Sequence, residues 1–204
     1  MHQQINRKIF FYFFLFIILG TFNNKNLDTF NFPKIESLKI YGLEKIDNEF
    51  IKRLEFFKLN NIFFIDKFEL KKVLETNNLI EEYKIFKRYP SILEIEIIET
   101  KFLAKTNKNE KTFFVGSNGK FISIEKFSNY KDLPVIFGKF TAKKFINFKE
   151  AIYKSDLNYN NIKEIFFYPS GRIDIKNKDS VTIKFPKENL EEAINIASRI
   201  INNK

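Results

Sequence analysis

The sequence has no cysteine and a single histidine, His2, in 204 residues. Without cysteine, no disulfide holds the chain and no thiolate serves as nucleophile or metal ligand. His2 lies in a polar N-terminal stretch, which excludes a histidine metal site or a Ser-His triad from the folded part. Glycine is scarce as well, at six residues. Two glycine turns, Ser117-Asn118-Gly119 and Ser170-Gly171, fail as phosphate-binding loops because neither leads into a helix N-terminus. No catalytic constellation is left, so no catalytic residue, cofactor, metal or small-molecule substrate is expected.

What the chain does have is positive charge and phenylalanine. The net charge is +10, but the lysines are scattered among Glu and Asp rather than gathered in a stripe. That pattern argues against nucleic acid and for general attraction to an anionic membrane surface or envelope polymer. The 27 phenylalanines fall at strand and helix periodicity, which reads as core rather than as base-stacking platforms.

Taken in order, residues 1–8 form a polar tail ending in Arg7-Lys8. An uncharged apolar run, Ile9 to Phe22, follows, and with Asn23 and Asn24 as interfacial residues the segment 9–24 is expected to be a transmembrane signal-anchor. The bulky Phe22 argues against a cleavage site. Arg7 and Lys8 place the N-terminus in the cytoplasm, and the rest of the chain in the periplasm. Residues 25–33 read as an extended linker.

Residues 34–101 are expected to form a β-α-α-β-β domain. Leu38 and Ile40 alternate with polar neighbours in a first strand closed by Gly42. Asp47 is placed to cap a helix carrying Phe50, Ile51, Leu54 and Phe57. Asp66 caps a second, with Glu69 three residues on and Leu70, Val73 and Leu74 inward. Strands follow at 82–88 and at Ile92–Glu99, where Leu93, Ile95 and Ile97 share the buried face. Glu94 and Glu96 share the wet face; with no cleft around them they are not a catalytic pair.

Residues 102–204 are expected to form a β-rich domain ending in a helix. A hairpin spans Phe102–Val115 across Asn107–Glu110, and strands follow at Lys120–Ile124 and Leu133–Gly138. A helix covers 143–155, with Phe145, Phe148 and Ile152 inward. Strands fill 162–185, and Val181, Ile183 and Phe185 of the last one face inward while Thr182 and Lys184 face out. A final helix runs from Glu188 to about Asn202, with Leu190, Ala193, Ile194, Ala197, Ile200 and Ile201 on its apolar face. The fold class is therefore α+β.

This order of anchor, β-α-α-β-β unit and β-rich domain resembles the FtsQ/DivIB family of bacterial cell-division proteins, and the first unit resembles a POTRA domain. The residues that carry the resemblance are the opening strand Ile35–Gly42 and the Arg88-Tyr89-Pro90 turn. The strand closed by Glu99, Ala104, Leu133-Pro134 with Gly138, and Gly171-Arg172 followed by Ile173 and Ile175 complete it. The resemblance implies a non-enzymatic divisome scaffold in the inner membrane at the septum, with FtsB- and FtsL-like single-span proteins as partners. The alternative is a POTRA-type chaperone for envelope protein assembly. Family members generally continue into a further strand after the last helix, and that region docks the partner. Here the strand Ser180–Phe185 is expected to be the edge that accepts a partner strand. Thr182, Ile183 and Lys184 are the expected partner-binding residues. Arg172 joins them through its match to the family's arginine beside the partner-binding region. Proline at Ile183 is expected to abolish partner binding and spare the fold.

Overall fold

A computed structural model of the chain describes residues 7–22, 33–44, 48–127 and 132–202. The first described element is helix α1, Arg7–Phe22. No helix among the described residues is long and apolar enough to cross a membrane. At 16 residues, α1 is about 24 Å long against a hydrocarbon core of about 30 Å. Asn23, Asn24, most of the linker and Asp47 lie outside the described residues.

Strands β1 (Ser37–Tyr41), β2 (Ile80–Arg88) and β3 (Ile92–Glu99) form a sheet in the order β1-β3-β2, with β1 parallel and β2 antiparallel to β3. Helices α2 (Asn48–Glu55) and α3 (Lys67–Glu75) cover one face. Phe50 and Leu54 from α2, Leu70 and Leu74 from α3, and Leu93, Ile95 and Ile97 from β3 close this first core. The Asp66 carboxylate caps α3, accepting from the backbone N–H groups of Phe68 and Glu69, two donors that the helix cannot satisfy itself. Gly42 turns the chain beneath β3 at φ +83°, where a Cβ would stand 2.0 Å from the Ile97 carbonyl oxygen; only glycine fits there.

The second sheet has seven strands in the order β10-β9-β8-β7-β4-β5-β6. They are β4 (Phe102–Lys108), β5 (Lys111–Gly116), β6 (Phe121–Ser123), β7 (Val135–Gly138), β8 (Ile162–Phe167), β9 (Ile173–Asn177) and β10 (Thr182–Phe185). Strand β7 lies parallel to both β4 and β8. The β4–β5 hairpin turns on two residues, Asn109 and Glu110, both at positive φ, a tighter turn than the four-residue loop expected; left-handed φ at both positions matches the strand twist. Helices α4 (Ala142–Tyr153) and α5 (Leu190–Asn202) pack on one face. Their Phe145, Phe148, Ile152 and Ile194 meet Ala104, Val115, Ile136, Ile165, Ile175 and Phe185 from the strands in a second core.

Three burial expectations are corrected. Val181 is exposed rather than inward, because it precedes β10 at the hairpin end, beyond the reach of the helices. Ile200 is exposed too, and Ser198 is buried in its place, so the buried stripe of α5 runs through Ile194, Ala197, Ser198 and Ile201. Glu94 is buried rather than wet, since the Arg88 guanidinium closes over it with hydrogen bonds to both carboxylate oxygens.

The two domains are joined by polar contacts from the Ser117-Asn118-Gly119 turn. The Asn118 amide Nδ2 donates to the carbonyls of Asn78 and Ile80, each at 2.9 Å. Asn78 Nδ2 donates in return to the Phe121 carbonyl at 3.0 Å. The Ser117 hydroxyl donates to Glu81, and Lys120 Nζ donates to the Glu75 carbonyl at 2.9 Å. In sequence, this turn looks like any solvated turn. In the fold it is the joint between the domains.

Candidate docking surface

Strand β10 is an edge of the seven-stranded sheet. It pairs antiparallel with β9 in the register Thr182↔Lys176, Ile183↔Ile175, Lys184↔Asp174 and Phe185↔Ile173. The phase of the ladder follows from its hairpin end. The Asn177 N–H donates to the Val181 carbonyl at 2.9 Å, and the Ser180 N–H to the Asn177 carbonyl at 3.0 Å, with Ser180 at φ +62°. Antiparallel pairs alternate between hydrogen-bonded and non-hydrogen-bonded. The main-chain groups of Val181, Ile183 and Phe185 therefore turn toward β9, and those of Thr182 and Lys184 turn away from it.

The four sequence-derived residues thus divide. Thr182 and Lys184 have exposed side chains and outward main-chain N–H and C=O groups, which is what an added strand requires. Ile183 is placed differently. Its side chain packs against the core cluster, and its N–H turns to the internal ladder. Proline there removes a ladder donor, so it is expected to disturb the sheet rather than spare the fold.

Arg172 precedes β9 and stands over the Tyr168 ring at 4.3 Å. Its Nε lies 2.9 Å from Asp174 Oδ1, and its terminal nitrogen donates to Asp174 Oδ2 at 3.2 Å. Hydrogen bonding with Tyr168, then with Asp174, holds the guanidinium more firmly protonated than usual. Asp174 is buried and faces Lys184 across the β9–β10 register. The same open sheet face carries Glu164 and Lys176, 4.0 Å apart, and the stacked rings of Phe137 and Phe166 at 4.9 Å. Arg172 is thus clamped on the sheet face beside the edge; only β10 separates Asp174 from the open edge. Sequence periodicity identified the strand but neither its place at the sheet edge nor the apolar-and-charged face next to it, since both follow from parallel and antiparallel pairing of β7, β8, β9 and β10.

Glu94 and Glu96 lie far from this surface in the chain, on β3 of the first domain. Hydrogen bonding from Arg88 holds the Glu94 carboxyl below its usual range, against burial that pushes it up. A carboxylate with a lowered folded pKa adds stability above the unfolded carboxyl range and loses it as pH falls through the folded value. Arg88→Met is expected to relieve the shift, since it removes the hydrogen bonds and charge that hold the carboxyl down, so that Glu94 titrates at higher pH, toward its ordinary range. The check is an NMR titration of its carboxyl carbon; an unchanged midpoint refutes the assignment.

Comparison with known proteins matches two parts of the chain. Residues 34–100 match the POTRA domain of FtsQ type, and residues 104–204 match the C-terminal region of the cell division protein FtsQ/DivIB. The cell division protein FtsQ of Rickettsia bellii is 27% identical over 164 residues, covering 79% of this chain and 60% of that protein. The cell division protein DivIB of Clostridium botulinum is 35% identical over 135 residues, covering 66% of this chain and 50% of that protein. The chain thus spans about half the length of the curated relatives it matches. Among solved structures, the major extracytoplasmic domain of the trans isomer of DivIB from Geobacillus stearothermophilus aligns with 52% of this chain and 98% of its own, at TM-score 0.36 and 16% identity, too low to argue from. The two family matches follow one another along the chain, and with the curated relatives they establish that this chain belongs to the FtsQ/DivIB family of cell-division proteins.

Proposed function

We propose that the chain is a non-catalytic, membrane-held docking protein of the bacterial division machinery, and that it recruits single-span division proteins of the FtsB and FtsL kind at the septum. The observation that carries this reading is the open edge of β10, where Thr182 and Lys184 direct unpaired main-chain groups outward beside an apolar and charged sheet face. Strand addition draws its affinity from main-chain hydrogen bonds and its selectivity from alternate side chains, so it needs no catalytic constellation.

The inner-membrane anchor is part of the same proposal. In α1, Ile9 to Phe16 are all exposed large apolar or aromatic residues. A helix apolar on every side belongs inside a core or a bilayer, and no other described part of this chain covers it. A helix shorter than the hydrocarbon is accommodated by local thinning and by flanking residues that reach the headgroups; Arg7 and Lys8 supply these and set the N-terminus in the cytoplasm. The two domains then lie in the periplasm.

The test is a photo-crosslinking residue at Thr182 and, separately, at Lys184 in intact cells, with Lys143 on α4 as the off-site control. Crosslinks from Thr182 and Lys184 to a small single-span division protein are the expected result. An outer-membrane precursor in their place would favour the chaperone reading, and crosslinks at all three positions alike would remove the edge from the mechanism.

A further inference from the structure

Between Phe56 and Phe68 the chain sorts its apolar residues in two directions. Phe57, Ile62 and Ile65 are buried in the first core. Phe56, Leu59, Phe63, Phe64 and Phe68 stand in solvent, Phe64 at 72% and Phe68 at 75% exposure. Monomeric domains rarely present so many large apolar groups together without a partner surface. This segment is also where the chain arrives from α1. Lys34 bridges Asn61, the Ile35 N–H donates to the Asn60 carbonyl at 3.1 Å, and the Ile62 N–H reaches the Pro33 carbonyl at 3.5 Å. Ten residues separate Phe22 from Pro33, a reach of at most about 40 Å.

The charge around the segment is mixed, with a small basic surplus. From Glu49 to Glu75, six basic residues stand against five acidic ones, and Arg53, Lys58 and Lys71 are ion-paired with Glu49, Glu55 and Glu75, while Lys67 and Lys72 lie exposed on α3. Lys87 Nζ lies 3.4 Å from the Phe63 carbonyl. Burial, and then repulsion from Lys67, lower the Lys87 pKa, so cations crowd at this end. Phe63 stacks on Tyr89 at 4.8 Å. Aromatic rings with a basic fringe are the composition of the headgroup boundary of a bilayer.

We propose that Phe56–Phe68 is a membrane foot. Phe64 and Phe68, flanked by Phe56 and Leu59, enter the headgroup–acyl boundary of the bilayer that holds α1, and Lys67 and Lys72 meet anionic lipid phosphates. The proposal rests on the anchor reading of α1. It gives the first domain a second attachment beside its tether. The polar joint between the domains then passes that fixed orientation to β10.

The chain has no tryptophan, so a single introduced indole reports alone. Full-length chains carrying Phe64→Trp or Phe68→Trp are reconstituted in phosphatidylcholine–phosphatidylglycerol vesicles whose lipids are brominated just below the headgroup. Blue-shifted emission and strong loss of fluorescence are expected at both positions, and neither is expected for Tyr153→Trp on α4. Lys67→Glu with Lys72→Glu in the Phe64→Trp background is expected to restore much of the emission. A Phe16→Trp chain, read in vesicles whose lipids are brominated near the acyl-chain ends, separates the two readings. Quenching at Phe16→Trp without quenching at Phe64→Trp or Phe68→Trp overturns the foot and leaves the anchor. Absence of quenching at Phe16→Trp overturns the anchor and the foot with it. Shielding of Phe64→Trp from aqueous iodide without bromolipid quenching assigns the patch to a protein partner and overturns the lipid assignment.

Discussion

Lys184→Pro is expected to abolish strand docking at β10 while leaving cooperative unfolding of the second domain near its original midpoint. The Lys184 N–H points away from β9, so proline there removes no bond of the existing ladder, and proline is tolerated on edge strands. An incoming strand, by contrast, loses a donor, and the pyrrolidine ring leaves one of its carbonyls desolvated without a partner. Together these cost about 3 kcal/mol, or roughly a 100-fold loss of affinity. Ile183→Pro is expected to lose stability and docking together, because the Ile183 N–H serves the ladder to Ile175 and its side chain packs on the core. Paired binding and thermal-unfolding measurements on the two variants decide the matter. If Ile183→Pro proved the more selective of the two, the ladder phase would be the opposite of the one assigned, and the docking groups would shift by one residue.

Phe148→Ala is expected to destabilise the second domain by about 3–5 kcal/mol, the range for truncating a buried phenylalanine. That is a large part of the total stability of about 5–15 kcal/mol that a domain has. Phe148 is fully enclosed on α4, with its ring 6.1 Å from that of Phe167 on β8 and 6.1 Å from that of Phe185 on β10. The cavity would therefore open beneath the docking strand itself. Amide exchange is expected to rise first in β9 and β10, and docking to weaken along with stability, unlike the clean separation predicted for Lys184→Pro. Denaturant unfolding with residue-resolved hydrogen exchange measures both; an unchanged midpoint would mean that α4 does not hold the edge strand.

The elements of this fold that sequence reading recovers are the local ones. Asp66 announces α3 because a capping carboxylate needs only the two N–H groups that follow it. Leu93, Ile95 and Ile97 announce β3, and Phe145, Phe148 and Ile152 announce α4, because period two and period 3.6 put each set on one side of its own element. The same reasoning fails where neighbours come from elsewhere in the chain. Glu94 obeys the strand alternation and points away from the helices, yet Arg88 from β2 covers it. Val181 and Ile200 also fit their periodic faces, but their element ends extend beyond the partner that would bury them.

The sequence by itself determined two α+β units, an uncharged apolar helix before them, and the absence of thiol and histidine chemistry, since all of these depend on residue identity and short-range spacing. Only the tertiary structure decided which strands became edges, that the Ser117-Asn118-Gly119 turn joins the domains, and that Phe64 and Phe68 project beside the entry of the tether. It also decided that Thr182 and Lys184, rather than Ile183, offer main-chain groups outward. That last distinction is a matter of hydrogen-bond phase, which alternates residue by residue along a ladder. It depends on the β9–β10 pairing and the αL residue in the connecting turn, neither of which is written in the alternation of side chains.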